Sequence, residues 1–535
     1  MSTYALRGRI VTVNAGFDVI PDGILYVDGK SIVAVQDAAA PPPKAFAGIK
    51  PVDTGGTMFP GLIELHNHLA YNIIGLWLVD KQYTNRDQWP RGPSYKTNLT
   101  GPIKVLASHP PLLPAITRYV ECKSLFGGTT ASQGITLSAS NGVRKFFKGL
   151  VRNVEETFDP DLPDAKAKIG DVASKDANAF RAQLKKAKCY LLHLSEGTDA
   201  AAHAHFEALR SVNPEALAPS LSGIHCVALQ PLDFKAMHEN GGSMVWSPLS
   251  NLLLYGQTAR VKDAREAGVP VGLGPDWAYS GSKNLLGELK VARAVNAIQN
   301  LGISDRELVS MATIEAARIL RWDKVAGSLE KGKRADVIVV GGVSADPLEV
   351  LFKADESDVR LCVIDGNPRY GLAAIMTKLG ADGETINVAG KTRVLSFTND
   401  QDGAPSMKLA DARDALADAM KNLPKVAKEV AKPKAMSLLS IRSSKPAWTL
   451  ALDEIEDTGV EIRPHLLATG MSVQDQPVNP AALKPVKLDP LTVADDSDFF
   501  EIIAKEPNLP EALKSALGAK PAKAAKKKKT AVVTT

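Results

Sequence analysis

Apolar and polar residues alternate in blocks whose character changes along the chain. Residues 4–55 hold short apolar runs separated by turn signals such as Pro21-Asp22-Gly23 and Asp28-Gly29, a pattern typical of antiparallel strands. From about 56 to 325, short apolar runs alternate with amphipathic helical segments, which predicts parallel strands joined by helices. Strand-like runs return between 335 and 366.

The middle region contains eight predicted strand–helix units. Their strands are expected to end at His68, Thr130, Asn153, Val172, His193, His225, Ser247 and Asp276. Eight such units predict an α/β fold with a (β/α)8, TIM-like barrel, in which functional residues gather at the carboxyl ends of the strands. The strand-rich segments on either side predict a small β-sandwich domain built from both flanks of the barrel.

These patterns divide the chain into five predicted regions. Residues 1–56 and 326–370 form the two parts of the β-sandwich, and residues 57–325 form the barrel. Residues 371–517 form a C-terminal extension to which the sequence assigns no role, and residues 518–535 form a disordered, Lys-rich tail.

The composition of the chain indicates where in the cell the protein is expected to be. The 535 residues are 45% hydrophobic and 23% charged, which is ordinary for a globular protein. No apolar run reaches the roughly 18 residues of a membrane helix, and residues 1–9 lack the pattern of a secretory signal. Four scattered cysteines favour thiols in a reducing cytoplasm over a disulfide framework. We therefore expect a cytoplasmic protein without a membrane partner.

Charge argues against nucleic acid as a partner. The net charge is +5, but six lysines and no acidic residue lie between 518 and 535, so the rest of the chain is close to neutral. No basic face with interleaved aromatic residues accompanies that tail. We expect a small-molecule substrate and no nucleic acid, and the sequence leaves open a homo-oligomer.

Several predicted strands end in residues that bind metals or move protons: His66 and His68, His193 with Glu196, His225, and Asp276. Side chains alternate faces along a strand, so the first two histidines point the same way. Three imidazoles and a carboxylate suit a divalent metal such as zinc, with one position open for water. The metal lowers the pKa of that water to about 7, and the remaining His and Glu could move protons.

A wider set of motifs occurs in a fixed order: Pro60-Gly61-x-x-x-x-His66-x-His68, Gly128-Thr129-Thr130, His193-x-x-Glu196, His225, Ser250-Asn251, Asp276, Ala312-Thr313-x-x-Ala316-Ala317 and residues 327–336. With this set, residues 1–370 resemble metal-dependent amidohydrolases of the branch that contains guanine, cytosine and S-adenosylhomocysteine deaminases and the triazine hydrolases. Pro275 departs from the pattern, because relatives usually carry a small polar residue before the Asp. Proline removes a backbone donor at that point.

The resemblance implies a role for each strand-end residue. It implies one divalent ion, zinc or alternatively iron, with the ligands His66, His68, His193 and Asp276. Asp276 would also accept a proton from the water. His225 would hydrogen-bond the nucleophile or the developing oxyanion, and Glu196 would carry a proton to the ring nitrogen or leaving amine.

The implied activity is hydrolysis of a non-peptide C–N bond by attack of metal-bound hydroxide at an sp² carbon. Deamination of an amino-substituted heterocycle is the leading version. The same site could instead hydrolyse a C–Cl, alkylamine or amide bond, and the sequence does not separate these reactions. A non-catalytic scaffold with this fold is disfavoured, because the chain retains every ligand of the pattern.

Candidate substrate contacts lie close to these motifs. Trp77, Arg86 and Trp89 occupy the segment that follows the first barrel strand, and Asn251 and Trp277 adjoin motif residues. Aromatic rings and a guanidinium group at a barrel mouth could clasp a flat or anionic substrate. The aromatic residues of the segment could equally serve only to anchor a long loop.

Overall fold

The structure is a computed structural model that describes residues 3–133, 137–139, 150–168, 170–397, 407–430, 448–450 and 483–518. The fold is mixed α/β. The strands are β1 (Thr3–Val11), β2 (Val19–Asp28), β3 (Ser31–Asp37), β4 (Val52–Pro60), β5 (Leu62–Glu64), β6 (Thr129–Ser132), β7 (Leu137–Ala139), β8 (Arg152–Asn153), β9 (Ala165–Lys168), β10 (Cys189–Leu194), β11 (Leu221–His225), β12 (Ser243–Trp246), β13 (Val271–Leu273), β14 (Val337–Val340), β15 (Val359–Ile364), β16 (Asn367–Leu372), β17 (Glu384–Val388), β18 (Lys391–Leu395) and β19 (Trp448–Leu450).

The helices lie mostly between strands of the middle region and after the last strands. They are α1 (Pro93–Tyr95), α2 (Gly101–Ala107), α3 (Leu113–Phe126), α4 (Ala177–Lys186), α5 (Ala200–Arg210), α6 (Pro231–Glu239), α7 (Pro248–Tyr255), α8 (Val261–Glu266), α9 (Leu285–Gln299), α10 (Asp305–Met311), α11 (Ile314–Leu320), α12 (Pro347–Lys353), α13 (Ala373–Lys378), α14 (Leu409–Lys421), α15 (Leu423–Val430), α16 (Ser497–Lys505) and α17 (Glu511–Ala516). Across the described ranges, no helix has the length and apolar character needed to cross a bilayer.

One nine-stranded sheet contains strands from both flanks of the middle region, in the order β17-β18-β16-β15-β14-β4-β1-β2-β3. The two flanks meet where β14 pairs antiparallel with β4. Along β14, Val337 and Val339 belong to one hydrophobic core, whereas Ile338 and Val340 belong to another, larger core. This alternation buries both faces of the sheet and attaches it to the middle region.

The middle region is built from parallel strands. Strands β13-β12-β11-β10-β9 form one sheet and β5-β6-β8 another. Two backbone hydrogen bonds link the sheets at their edges: Ala165 N donates to Val154 O at 2.8 Å, and Leu65 N donates to Leu273 O at 3.3 Å. The carboxyl ends of all eight strands therefore belong to one continuous arrangement, on which the candidate site is built.

Five of the eight predicted strand ends lie within two residues of the observed ends, whereas β5 ends at Glu64 instead of His68, β13 at Leu273 instead of Asp276, and the fourth strand also ends early. Asn153 and His225 are the last residues of β8 and β11, and His193 lies one residue before the end of β10. The fourth strand was expected to end at Val172, but β9 ends at Lys168. Val172 is buried in the large core outside any strand, so its apolar side chain gave a misleading strand signal.

Parts of the predicted C-terminal extension lie among the described residues. Helices α14 and α15 follow the nine-stranded sheet, and residues 483–518 carry α16 and α17. Several of their side chains, including Leu416, Met420, Ile503 and Leu513, join the large core. Residues 519–535, where the tail was predicted, lie outside the described residues.

Candidate metal centre

The strand-end residues converge on one buried point. His66 Nε2 lies 2.9 Å and His68 Nε2 3.4 Å from Asp276 Oδ1. The imidazole of His193 lies 4.6 Å from that of His66, measured between ring centroids. His225 adjoins the same rings, 5.2 Å from His66. Each of these five residues is at most 3% exposed.

Backbone contacts just beyond the strands hold the candidate ligands in place. Asp276 N donates to His66 O at 3.2 Å, and His68 N donates to Asp276 O at 2.7 Å. Asp276, His225 and Ser195 have φ values of 66°, 67° and 51°, in the left-handed region that non-glycine residues rarely adopt. Such residues cost of order 1 kcal/mol or more each and persist where the surrounding structure enforces them.

The hydrogen bonding of His66 fits a cation at this point. Its Nδ1 lies 3.0 Å from Gln133 Oε1, an acceptor, so Nδ1 is a donor, and in the neutral ring that a metal ligand requires Nε2 carries the lone pair. Among the described residues, that buried Nε2 makes no hydrogen bond, and it faces Asp276 Oδ1. Ser250 Oγ donates to the other carboxylate oxygen of Asp276 at 2.6 Å. Two acceptors that face each other in a buried site are satisfied by a shared metal ion.

Electrostatics favour the same protonation states that metal ligands need. Burial raises the pKa of Asp276, but a positive charge on the adjoining His66 outweighs it when that ring is protonated and holds that pKa well below its usual range. Burial, reinforced by His66, lowers the pKa of His193 well below its usual value. Burial also lowers the pKa of His225 to about 3. At neutral pH, Asp276 is therefore ionised and these two imidazoles are neutral.

A relay of hydrogen bonds fixes the tautomer of His225. Trp246 Nε1 donates to Thr258 Oγ1 at 2.7 Å, and Thr258 Oγ1 donates to Asn251 Oδ1 at 3.3 Å. That contact orients the amide, so Asn251 Nδ2 donates to His225 Nδ1 at 2.9 Å. Because Nδ1 accepts, the proton of the neutral ring lies on Nε2, which is left as a donor.

The carboxylate of Glu196 adjoins the histidine cluster. Its Oε2 lies 3.8 Å from His225 Nε2 and 3.2 Å from Arg86 Nε. Tyr255 Oη donates to Oε1 at 2.8 Å, and Trp89 Nε1 donates to Tyr255 Oη at 3.0 Å. Glu196 is therefore held in one orientation by groups from two segments, the loop after β5 and helix α7.

Four of the five candidate substrate residues adjoin the cluster. Arg86 and Asn251 contact Glu196 and His225 as described, and Trp89 reaches Tyr255. The indole of Trp277 lies 5.2 Å from the ring of His68 and 6.1 Å from that of Trp89. Trp77 instead stacks on Tyr279 at 5.4 Å and has no contact with the histidines among the described residues.

Sequence reasoning missed three residues that orient this cluster: Gln133, Tyr255 and Thr258. Tyr255 lies four residues after Asn251 on helix α7, so helical spacing could have placed both on one face. Gln133 follows the last residue of β6, the strand next to β5. Thr258 carried no signal, because it contacts the site only through the amide of Asn251.

The chain is similar to several known proteins. Residues 188–369 match the amidohydrolase family. The 5'-deoxyadenosine deaminase of Methanosarcina mazei is 23% identical over 354 residues, which is 58% of this chain and 80% of that protein.

Two solved structures share the fold. An adenosine deaminase from Xanthomonas campestris with bound zinc is 19% identical and has a TM-score of 0.54, with 69% of this chain and 93% of that chain covered. The atrazine chlorohydrolase TrzN from Arthrobacter aurescens TC1, complexed with zinc, is 20% identical and has a TM-score of 0.53, with 68% and 94% covered. These similarities imply a TIM-barrel fold, and residues 188–369 are similar to the amidohydrolase family.

Proposed function

We propose that this protein is a metal-dependent deaminase that removes an amino group from an amino-substituted heterocycle and releases ammonia. The observation that carries the proposal is the meeting of two buried groups that share His66, one with His68 and Asp276 and the other with His193 and His225, beside Glu196. Two of the compared proteins are named as deaminases of adenosine or 5'-deoxyadenosine. Adenine nucleosides are therefore the first substrates to test.

The residues that would hold one divalent ion are His66, His68, His193 and Asp276. Their nitrogen and oxygen donors suit zinc, with iron as the alternative. A divalent ion bound there supplies a Lewis acid that lowers the pKa of water and makes it a nucleophile at neutral pH. Ser250 fixes Oδ2 of Asp276, so Oδ1 is the oxygen that faces the histidines.

Asp276, His225 and Glu196 would transfer protons or donate hydrogen bonds during the reaction. Asp276 Oδ1 accepts a proton as water attacks the ring carbon. His225 donates from Nε2 to the nucleophile or the developing oxyanion, because its Nδ1 is occupied by Asn251. Glu196 carries a proton to the ring nitrogen or the departing amine. Overall a C–O bond forms, the C–N bond breaks, and one water is consumed for each ammonia released.

Aromatic residues beside the cluster fit a flat substrate. Trp277 and Trp89 pack together within reach of His68 and Tyr255, and indole rings can stack on a heterocycle. Arg86 adds a positive charge next to Glu196. In this proposal Arg86 acts mainly by holding that carboxylate in place, and Asn251 acts by orienting His225.

The second candidate function is expulsion of a different leaving group by the same residues. The similarity to an atrazine chlorohydrolase favours this alternative, with chloride replacing the amine and with alkylamine or amide bonds as further variants. A non-catalytic scaffold is disfavoured by the complete histidine and carboxylate cluster.

We extend the proposal to the architecture and setting of the site. The hydrogen bonds that link the two parallel sheets support a closed (β/α)8 barrel. The sheet shared by both flanks supports the proposed β-sandwich and the five-region division. A small-molecule substrate, no nucleic-acid or membrane partner, a cytoplasmic location and an unassigned oligomeric state complete the proposal.

An ammonia-release assay tests the function. Purified, metal-loaded protein is incubated with adenosine, 5'-deoxyadenosine, cytosine and guanine, and with a chlorinated triazine in a parallel chloride-release assay. We expect ammonia from at least one amino-heterocycle and at least a hundredfold lower rate for Glu196→Gln at equal metal content. Chloride release without ammonia would replace the deaminase by the second candidate. No turnover of any compound by metal-loaded protein would contradict both.

A further inference from the structure

Residues 483–518 lie across the loop that follows β5. Asp489 N donates to Ile73 O at 3.0 Å, and Leu488 forms an isolated antiparallel bridge with Ile74. Further along, Val79 N donates to Glu506 Oε1 at 3.0 Å. These contacts hold the first half of the loop against the C-terminal segment at two separate points.

A third contact ties the same segment to helix α7 of the candidate site. Asn508 Nδ2 donates to Leu253 O at 2.7 Å and lies 3.3 Å from Lys81 O. Leu253 lies two residues after Asn251, the residue that orients His225. The segment therefore bridges the loop after β5 and the helix that carries Asn251 and Tyr255.

A buried ionic cluster anchors this arrangement. Lys283 Nζ lies 2.6 Å from both carboxylate oxygens of Asp489 and 2.7 Å from Asp496 Oδ2, and Lys123 Nζ also binds Asp489. None of these four residues is more than 3% exposed. Burial raises the pKa of Asp489, but the two lysines outweigh it and hold that pKa low. Two cations and two anions balance, so each charge depends on its partners.

The cluster is connected to the metal-site segments by hydrogen bonds. Lys123 Nζ donates to Asn72 O at 2.8 Å. Asn72 Nδ2 donates to Asn67 Oδ1 at 2.9 Å, and Ala278 N donates to Asn72 Oδ1 at 2.8 Å. Asn67 lies between the candidate ligands His66 and His68, and Ala278 lies two residues after Asp276. The path from Asp489 therefore reaches both segments that carry candidate ligands.

We propose that residues 483–518 form a strap that fixes the loop after β5 beside the metal centre, with Asp489 as its positioning residue. The strap lies outside residues 188–369, the part of the chain that matches the amidohydrolase family. It gives the C-terminal extension a function in shaping the substrate pocket. The kinetic part of this proposal rests on the proposed deaminase function, whereas the structural part does not.

The contacts indicate which kinetic constant the strap controls. Its contacts hold residues 73–81, which precede Arg86 on the loop. The far end of the loop has its own anchors, because Arg86 N donates to Glu196 O at 3.1 Å and Thr198 N donates to Thr84 O at 2.6 Å. The strapped residues carry Trp77, which stacks on Tyr279, and Tyr279 in turn packs 5.6 Å from Trp277, the indole proposed to stack on the substrate. Loosening the strap therefore changes substrate binding more than proton transfer.

The test compares Asp489→Asn with Asp498→Asn in the full-length, metal-loaded protein. Asp498 lies on the same strap, but it pairs with Lys487 at the surface. We expect Asp489→Asn to speed hydrogen–deuterium exchange of residues 72–82 at least tenfold and to leave metal content unchanged. We also expect about a tenfold rise in KM, with kcat changed less than threefold. Asp498→Asn is expected to match the wild type.

Each outcome decides the proposal. Equal exchange of residues 72–82 in the two variants would overturn the strap, and faster exchange with an unchanged KM would overturn its role in positioning. If Asp489→Asn does not fold, Asn508→Ala takes its place, with about threefold faster exchange of residues 79–83 expected and unchanged exchange contradicting the strap. If no substrate is turned over, the deaminase proposal fails, and the exchange measurements still judge the strap.

Discussion

Two buried clusters of ionisable residues in this protein differ in whether their charges are compensated by partners within the chain. In the cluster of Lys123, Lys283, Asp489 and Asp496, every charge has an oppositely charged partner within the chain. In the metal-site cluster, histidine nitrogens and a carboxylate oxygen face each other, and a buried nitrogen of His66 makes no hydrogen bond among the described residues.

The difference separates a structural cluster from a functional one. Buried ion pairs that satisfy one another hold segments together, although they contribute little more to stability than well-packed apolar groups would. Acceptors that face one another are costly unless a cation lies between them. The first cluster is therefore complete as folded, whereas the second has the donor atoms to hold a bound ion.

The largest expected effect comes from removing one negative charge at the metal site. Asp276→Asn replaces an ionised ligand by a neutral amide, which binds a divalent metal weakly. We expect metal content to fall from about one ion per chain to below about 0.2, and kcat/KM to fall at least about 1,000-fold. Elemental analysis and steady-state kinetics check both values. Full metal content in the variant would remove Asp276 from the ligands.

Glu196→Gln separates proton transfer from metal binding in the same cluster. The amide retains the shape and the acceptor for Tyr255 but cannot carry a proton. We expect kcat to fall about 100- to 1,000-fold while metal content stays at the wild-type level. Steady-state kinetics at matched metal loading measures the effect. A wild-type rate would show that another group moves the proton.

The lysine–aspartate cluster is expected to tolerate the loss of one oppositely charged pair better than the loss of a single charge. Asp489→Asn leaves buried lysines under-compensated and is expected to cost about 3 kcal/mol in the free energy of unfolding. Lys123→Met with Asp489→Leu removes one charge of each sign and leaves the pair of Lys283 and Asp496. We expect this double variant to lie within about 1.5 kcal/mol of the wild type. Denaturant unfolding tests the difference, and equal losses would contradict the pairing argument.

Glu506, which also lies on the strap, is expected to make the stability of the protein depend on pH. Burial raises its pKa to about 8, so the folded state retains a proton that the unfolded state loses above about pH 4.5. Its contribution to stability is therefore present at low pH and lost as the pH rises through about 8. Glu506→Gln keeps the acceptor for Val79 N and is expected to be roughly 2 kcal/mol more stable than the wild type at pH 9. Equal melting temperatures of the two proteins at pH 6 and at pH 9 would contradict it.

The smallest expected effect tests the relay that orients His225. Thr258→Val keeps the side-chain volume but removes the donor to Asn251, so the amide loses the contact that sets its orientation. We expect kcat to fall about three- to tenfold, near 1 kcal/mol, with metal content and KM unchanged. Steady-state kinetics measures the change. A loss as large as that of Glu196→Gln would mean that Thr258 has a more direct role.

The sequence indicated which histidines and carboxylates meet at the candidate site, but it did not indicate which residues hold them in place. His66, His68, His193 and Asp276 follow apolar strands at recognisable spacings, and parallel strands bring their carboxyl ends together. The strand β9 was misplaced because its alternating Ala and Lys residues resemble a surface segment.

The supports could not be predicted, because they depend on contacts between distant segments. Asp489 lies 366 positions after Lys123 and 206 positions after Lys283 in the sequence. No local pattern in the C-terminal extension marks that aspartate as buried. Tertiary packing alone determines which of the many charged residues lose contact with water.

Anomalous X-ray diffraction from crystals of protein purified without added metal tests the central claim most directly. We expect one strong peak about 2.0–2.2 Å from nitrogen atoms of His66, His68 and His193 and from an oxygen of Asp276. No peak there, or a peak only at the partly buried group of His203, Glu207 and Asp233, would contradict a metal centre at the strand ends.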